Sequence, residues 1–371
     1  MLKLSHSGAR WTLEIFKVLT PFQSSARFCS VDNKSFLVYD KDPGPQFVRQ
    51  DVQKLLRSMS RLELDKVFRK RSVNDNTVEY KFMTDEQLKG EVVQSISKAR
   101  RLLQMPPVVA IMQDSPKVLS KDGALKGFSE SKVVITDITY GVKNSKRVIV
   151  ERLPDGTLQD AAYETRKRLN QIYFPLNGRK VRLPKMFEPG QLKKILENGE
   201  YEFVLDRACI QFEPYEQEYH DVTTTVYQHV AENKAFDALR STRHFGPMCF
   251  FLAWHRLIDD LLLDMIKRDY LRNGVELITL YCSLNDVSLA SKDFEPLKQQ
   301  VLETDAPVFD VEDKTVKDLQ QDEKYLVLIE QFVSEQSTKK VQLNLAIASY
   351  REMAMERQAL VEGLRKMHGN S

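Results

Sequence analysis

The sequence lacks the short motifs that mark the common nucleotide-binding and hydrolytic sites. It contains neither GxGxxG nor GxxxxGK[ST], the glycine-rich loops that cradle phosphate groups. It also contains no GxSxG nucleophile elbow and no HExxH zinc helix. These absences argue against the usual nucleotide-dependent enzymes, serine hydrolases and zinc proteases.

Cysteines are few and apolar runs are short. Cys29, Cys209, Cys249 and Cys282 have neither CxxC spacing nor a neighbouring histidine at ligand spacing, so no zinc site is predicted. The last three fall in apolar helical patterns, where a free cysteine usually behaves as a small buried hydrophobe. No apolar run approaches the roughly 20 residues that a membrane-spanning helix needs, so we expect no membrane association.

What the sequence does have is an uneven distribution of charge. Residues 30–187 hold 30 Lys/Arg and 19 Asp/Glu, a net +11, whereas residues 188–371 hold 21 and 32, a net −11. Residues 1–29 hold four basic side chains and one acid, which accounts for the whole formal charge of +3. A protein divided in this way can present one face to a polyanion and another to basic proteins.

The first 29 residues have the composition of a mitochondrial transit peptide. They are rich in Ser, poor in acids and punctuated by Lys3, Arg10, Lys17 and Arg27. Apolar side chains between residues 11 and 19 can form one side of a short amphipathic helix, as transit peptides do. We expect import into the mitochondrial matrix and a cut near Cys29, on either side of it. The alternative is a frayed N-terminus that is merely basic.

The pattern of the mature chain predicts a mainly α fold with a small antiparallel β element. Residues 132–139 and 147–153 are rich in Val, Ile and Thr and are followed by turn residues, which predicts two or three strands. Thr84 and Gln87 have the spacing of a capping box, and a basic helix is predicted over residues 161–173. We expect a basic region over residues 30–187 and an acidic helical domain over residues 188–371.

Helix dominates the prediction beyond Pro189. The strongest apolar pattern starts after Gly246-Pro247 and runs to Asn273-Gly274, where we expect this central helix to end. Two further helices are predicted near residues 318–332 and 340–366. No period of 33 to 45 residues recurs, so a solenoid of helical repeats is not supported.

Two basic tracts carry the case for RNA contact. Residues 49–71 hold eight Lys/Arg against three acids, and residues 143–187 hold eleven against four. Tyr173 and Phe174 lie inside the second tract, where aromatic rings can stack on bases while Lys and Arg neutralise phosphates. The candidate RNA-binding side chains are Arg49, Lys54, Arg57, Arg61, Arg69, Lys70, Arg71, Arg166, Lys167, Arg168, Arg179, Lys180, Arg182, Lys185, Arg240 and Arg243.

Two segments allow more than one interpretation. Residues 240–247 place Arg240 and Arg243 before a helix N-terminus, which suits either a phosphate site or a turn whose arginines bridge acidic neighbours. His255 and Asp259 stand four residues apart beside Asp260, as an acid–base or metal site on a helix would require. A solvated helix face is the simpler interpretation of this second segment, and neither catalytic nor metal-binding residues are assigned.

Several stretches resemble a known family. YFPLNGRKVRLPKMF (173–187), QFEPYEQEY (211–219) and FDALRSTRHFGPM (236–248) resemble the metazoan mitochondrial small-subunit ribosomal proteins numbered twenty-two. MPPV (105–108), VITDITYGV (134–142) and PDGTL (154–158) support the resemblance in the same order, and it spans roughly residues 45–350. This family is specific to mitochondria and has no bacterial counterpart.

The resemblance implies a structural role in the mitochondrial ribosome. It implies contact with small-subunit rRNA and neighbouring small-subunit proteins, without catalysis, a bound cofactor or a small-molecule substrate. A matrix RNA-binding regulator outside the ribosome is the first alternative, and a matrix enzyme using His255, Asp259 and Asp260 is the second. The sequence identifies neither the rRNA helices nor the protein neighbours that are contacted.

Overall fold

The computed structural model describes residues 37–69, 80–127, 129–289, 294–303 and 316–367. Within these ranges the chain forms fourteen α-helices and one four-stranded antiparallel sheet, which confirms the predicted fold class. The expected transit peptide, Lys70, Arg71 and residues 304–315 lie outside the described residues.

The N-terminal half contains five helices with the sheet between the fourth and the fifth. The helices are α1 (Gly44–Phe47), α2 (Gln50–Ser60), α3 (Leu64–Val67), α4 (Asp85–Leu102) and α5 (Tyr163–Tyr173). The strands are β1 (Val118–Lys121), β2 (Val133–Thr136), β3 (Ile149–Arg152) and β4 (Thr157–Asp160).

The C-terminal half is helical in its described parts. Its helices are α6 (Pro189–Glu197), α7 (Tyr201–Gln211), α8 (Gln217–Glu232), α9 (Phe245–Trp254), α10 (Asp259–Lys267), α11 (Leu271–Asn285), α12 (Phe294–Glu303), α13 (Val316–Glu335) and α14 (Lys340–Met367).

The sheet has the order β1-β4-β3-β2, with every neighbouring pair antiparallel. Its central hairpin is β3–β4, whose turn places Gly156 at φ +84°, in the left-handed region that favours glycine. The sequence located β2 and β3 but neither β1 nor β4, so the expected two or three strands are fewer than the four observed. All four residues of β1 are exposed, and a strand without a buried face lacks the alternation that reveals strands in a sequence.

The capping box at the start of α4 is present as predicted. The Thr84 amide donates to Gln87 Oε1 at 3.1 Å, and the Gln87 amide donates to Thr84 Oγ1 at 3.4 Å. These two hydrogen bonds satisfy amide groups that have no partner within the helix.

The core is centred on α9, in which every residue from Phe245 to Ala253 is buried. Helices α2 and α11 pack against it, and α11 also packs against α13. The apolar face of α2 is buried in this arrangement, including Val52, Leu56 and Met59. A helix of the basic region therefore packs among helices of the acidic region, and residue 187 as a domain boundary stays a prediction.

The prediction of one central helix from residue 247 to residue 272 is wrong. Helix α9 ends at Trp254 because Arg256 adopts a left-handed conformation, φ +59°, and the Leu257 amide bonds back to the Leu252 carbonyl at 2.8 Å. This is a Schellman ending, usually signalled by glycine. Gly274 lies inside α11 instead of ending a helix. Glycine suits this position because a Cβ there would stand 3.2 Å from a Leu262 methyl carbon.

Candidate RNA-contact surface

Helix α5 and the loop that follows it form one basic segment without acids. Residues 165–187 contain seven Lys/Arg and no Asp or Glu. Two buried glutamines hold the loop: Gln171 Nε2 donates to the Arg179 carbonyl at 3.0 Å, and Gln211 Nε2 donates to the Lys180 carbonyl at 2.8 Å. The loop is thereby fastened to both α5 and α7.

Four cations of this segment point to solvent. Arg168 lies one turn before Gln171 on α5, and the other three follow in the fastened loop. Arg168, Lys180, Arg182 and Lys185 are exposed, and we call them the basic surface. Tyr173, which ends α5, is 55% exposed within the same segment. Exposed cations beside an exposed aromatic ring can neutralise phosphates and stack on a base.

The other three cations of the segment point inward. Lys167 pairs with the buried Glu216. Arg179 pairs with Glu213 at 2.8 Å and also donates to the Ile210 carbonyl. Arg166 donates to the Arg147 carbonyl at 3.0 Å. The seven cations of the segment thus divide into four that face solvent and three that face the protein. The three inward side chains join the basic segment to the rest of the protein.

The N-terminal tract is spread along the body instead of forming one patch. Arg49 and Arg57 are exposed on and beside α2, and Arg49 pairs with Asp51 at 2.5 Å. Arg69 is exposed but pairs with Glu202 at 2.6 Å. Arg61 is half-buried, with its guanidinium 3.8 Å from the centre of the Tyr270 ring.

Lys54 also belongs to this tract. It is half-buried on α2, and its Nζ lies 3.5 Å from the Glu303 carbonyl. Most cations of the tract that the structure describes therefore have a neighbour within the chain, and Arg57 is the one most open to an external anion.

Arg240 is fully buried and forms an ion pair. Its side chain has no exposed surface, and it pairs with Asp264 at 2.8 Å with its guanidinium 4.9 Å from the Tyr270 ring centre. Arg243 is half-buried and pairs with Asp206 at 2.7 Å. The arrangement is that of a turn whose arginines bridge acidic neighbours, so we leave both arginines out of the basic surface.

His244 shares the Asp206 carboxylate with Arg243. Its Nε2 lies 2.9 Å from Asp206 Oδ1, and the ring is 1% exposed. Burial lowers the pKa of His244 below its ordinary value, with the Asp206 hydrogen bond opposing this effect. Burial alone would raise the pKa of Asp206, but its partners His244 and Arg243 lower it overall. A neutral imidazole beside a charged carboxylate follows from these directions.

The three residues of the enzyme alternative do not share one helix. His255 follows the end of α9 and contacts the Phe251 ring, with the ring centres 4.6 Å apart and the planes tilted by 60°, and burial lowers the pKa of His255. Asp259 accepts hydrogen bonds from Thr338 Oγ1 at 2.7 Å and from the Thr338 amide at 3.0 Å. Asp260 pairs with Lys339 at 2.6 Å. Both carboxylates hold the chain at the start of α14.

Arg268 Nε, just after the end of α10, donates to Asp264 within that helix at 3.0 Å. Within the described ranges, no group of three or more His, Cys, Asp or Glu side chains is placed to hold a metal ion. None of the described helices is long and apolar enough to cross a membrane.

Sequence reasoning missed the residues that support the surface. Gln171 and Gln211 carry no motif, although each is a polar residue inside a helix that turns out to be buried. Arg147 is 2% exposed and donates to three loop carbonyls, those of residues 137, 139 and 142. Its guanidinium also lies 3.5 Å from the Phe174 ring centre, so Arg147 covers one face of that ring.

Comparison with known proteins agrees with the resemblance seen in the sequence. The family described as "Mitochondrial 28S ribosomal protein S22" matches residues 45–286. The protein named "Small ribosomal subunit protein mS22" from Bos taurus is 37% identical over 237 residues, which are 64% of this chain and 66% of that protein. The protein of the same name from Mus musculus is 36% identical over 241 residues, 65% of this chain and 67% of that protein.

The matched part of this chain therefore corresponds to about two thirds of each relative's length. Residues 45–286, which the family matches, contain α2, the sheet, the basic surface and the buried α9, whereas α13 and α14, which contribute further core residues, lie beyond them. The chain belongs to the family of the mitochondrial 28S ribosomal protein S22.

Proposed function

We propose that this protein is a structural constituent of the mitochondrial small ribosomal subunit that bridges rRNA and neighbouring ribosomal proteins. The observation that carries the proposal is the basic surface, four exposed cations on a segment of 23 residues, 165–187, without a single acid. Opposite charges on such a segment would weaken its attraction for a polyanion, and their absence favours RNA.

Recognition through this surface depends on the RNA backbone and shape. The four exposed side chains are Arg and Lys, which pair with phosphates without reading a base sequence. Tyr173 adds one ring that can stack on an unpaired base of any identity. We therefore expect this surface to bind an rRNA backbone that other subunit components have already folded.

We propose a division of labour that follows the charge. The region 30–187 faces rRNA, and the region 188–371, with its net −11, faces neighbouring proteins that are basic. Residues 1–29 direct the chain to the matrix and are removed there.

We also propose that the protein has no catalytic activity of its own. Asp259 and Asp260 bind the residues just before α14, and His255 packs against the Phe251 ring. An acid–base site would need these groups to converge on an accessible point, whereas each has a structural contact. Replacing all three with alanine tests this assignment: a lost chemical activity with normal ribosomal incorporation would contradict it.

Sedimentation tests the ribosomal assignment directly. A detergent-solubilised mitochondrial lysate is separated on a sucrose gradient, and the protein is followed together with small-subunit rRNA. We expect it in the small-subunit fractions, and we expect it to stay there after a moderate salt wash. If it remains in the light fractions, the regulator outside the ribosome becomes the better explanation.

A further inference from the structure

Helix α14 is apolar on two opposite faces. One face carries Leu343, Ile347 and Tyr350, which are at most 4% exposed and pack toward α10 and α13. The opposite face of an ordinary surface helix is polar. Here it carries Val341 at 82% exposure and Leu345 at 70%.

The exposed residues of this second face follow a regular spacing. Val341, Leu345, Ala348, Glu352 and Met355, four apolar residues and one acid, alternate steps of four and three residues, and all five are exposed; we call them the α14 seam. Met355 is 68% exposed. Alternating steps of four and three give the period of 3.5 residues by which one helix packs along another. The spacing therefore specifies the shape of the partner, a second α-helix lying alongside.

The charges at the α14 seam indicate the charge of the partner helix. Two arginines of α14 are directed back to the protein: Arg351 pairs with Glu330 at 2.6 Å, and Arg357 pairs with Asp269 at 3.1 Å. The exposed charges at the seam itself are the carboxylates of Glu352 and Glu356. A largely apolar stripe with one carboxylate within it and another beside it repels an RNA backbone and attracts Lys and Arg.

We propose that the α14 seam is the docking site for an amphipathic α-helix of a neighbouring ribosomal protein, with an apolar heptad stripe flanked by Lys and Arg. The proposal rests on the proposed function, because it places the partner within the small subunit. It adds to that function a defined surface for protein contact. This surface lies beyond residue 286, where the match to the family ends.

Site-specific photo-crosslinking in assembled subunits tests the proposal. The full-length protein is expressed in cells with benzoylphenylalanine at position 345, and salt-washed small subunits are purified, irradiated and analysed by peptide mapping. We expect the cross-link to map to one helix of one neighbouring protein, with apolar residues at heptad spacing and Lys or Arg beside them. The same probe at Leu360, equally exposed at 66% but off the seam, is the matched control and should not reach that helix.

Substitution provides the second measurement. Val341→Asp in the same chain should abolish the cross-link from position 345, while Leu360→Asp should leave it intact. Both positions are exposed, so the thermal unfolding of the purified variants should match the wild type.

The outcomes separate this proposal from the ribosomal assignment. Cross-linking to rRNA, to a second copy of this chain, or to nothing in subunits that contain the protein would overturn the docking site alone. Absence of the protein from the small-subunit fractions would overturn the proposed function and this proposal with it.

Discussion

Neutralising the basic surface should weaken RNA binding in a way that depends on salt. The change is Arg168, Lys180, Arg182 and Lys185 to Gln, which keeps the side chains polar and similar in length. All four are exposed and lie outside the core, so each substitution should alter the free energy of unfolding by no more than about 0.5 kcal/mol.

The magnitude follows from counterion release. Each cation that neutralises a phosphate contributes about 0.7 to the slope of log K against log salt for single strands, and about 0.9 for duplexes. Four cations therefore account for a slope of about 3. Between 50 and 200 mM KCl, the wild-type protein should lose about 60-fold more affinity than the variant does.

The assay is binding of purified protein to a transcript of the mitochondrial small-subunit rRNA over a range of KCl concentrations. The matched control changes four exposed lysines of the acidic region to Gln: Lys234, Lys267, Lys324 and Lys340. This control should leave the slope within about one unit of the wild type, because these lysines lie in a region of net negative charge. Equal slopes for the two variants would refute the assignment of the basic surface.

Three further predictions concern stability. Arg240→Met should cost about 2 kcal/mol in urea unfolding, because Asp264 loses the enclosed one of its two arginine partners and keeps only Arg268; a loss under 1 kcal/mol would contradict this role. Gly156→Ala should cost about 2–4 kcal/mol, because a Cβ at φ +84° would stand 2.0 Å from a backbone oxygen just after β1, whereas Gly90→Ala meets no atom within 4 Å and should be neutral or stabilising. His244, whose pKa burial lowers from 6.5, binds a proton more readily in the unfolded chain, so stability should fall as pH drops below about 6.5. His244→Gln should lose less stability than the wild type between about pH 7.5 and about pH 5.5.

Local signals predicted α4, α5, α13 and α14 because the causes of these helices are local. The capping box at Thr84 involves residues three positions apart, and both of its hydrogen bonds are present in the structure. The ending of α9 has a different origin. Arg256 has the left-handed conformation that glycine usually adopts at a helix end, so the residue type at this position does not predict that α9 ends here. Gly274 misled in the opposite direction, since glycine also serves where another helix approaches closely.

The candidate surface was predictable as a segment but not side chain by side chain. Charge counts located residues 143–187, yet they could not separate Arg168 from Lys167, its neighbour in sequence. Adjacent helical residues point about 100° apart, and which direction faces solvent depends on the contact with Glu216, 49 residues away from Lys167. Arg240 shows the same limit, because its burial depends on Asp264 and on the ring of Tyr270, which immediately precedes α11.

The charge division has a structural meaning that the counts alone conceal. Ion pairs join the two regions at Lys66–Asp237, Arg69–Glu202, Lys167–Glu216 and Arg179–Glu213. Part of the net +11 is therefore matched internally by part of the net −11, and these charges fasten the regions together. The cations left exposed are fewer than the sequence suggests, but they share one acid-free segment whose loop is held by Gln171 and Gln211. A concentrated patch holds a phosphate backbone more firmly than the same charges scattered over a surface, because adjacent phosphates are neutralised together.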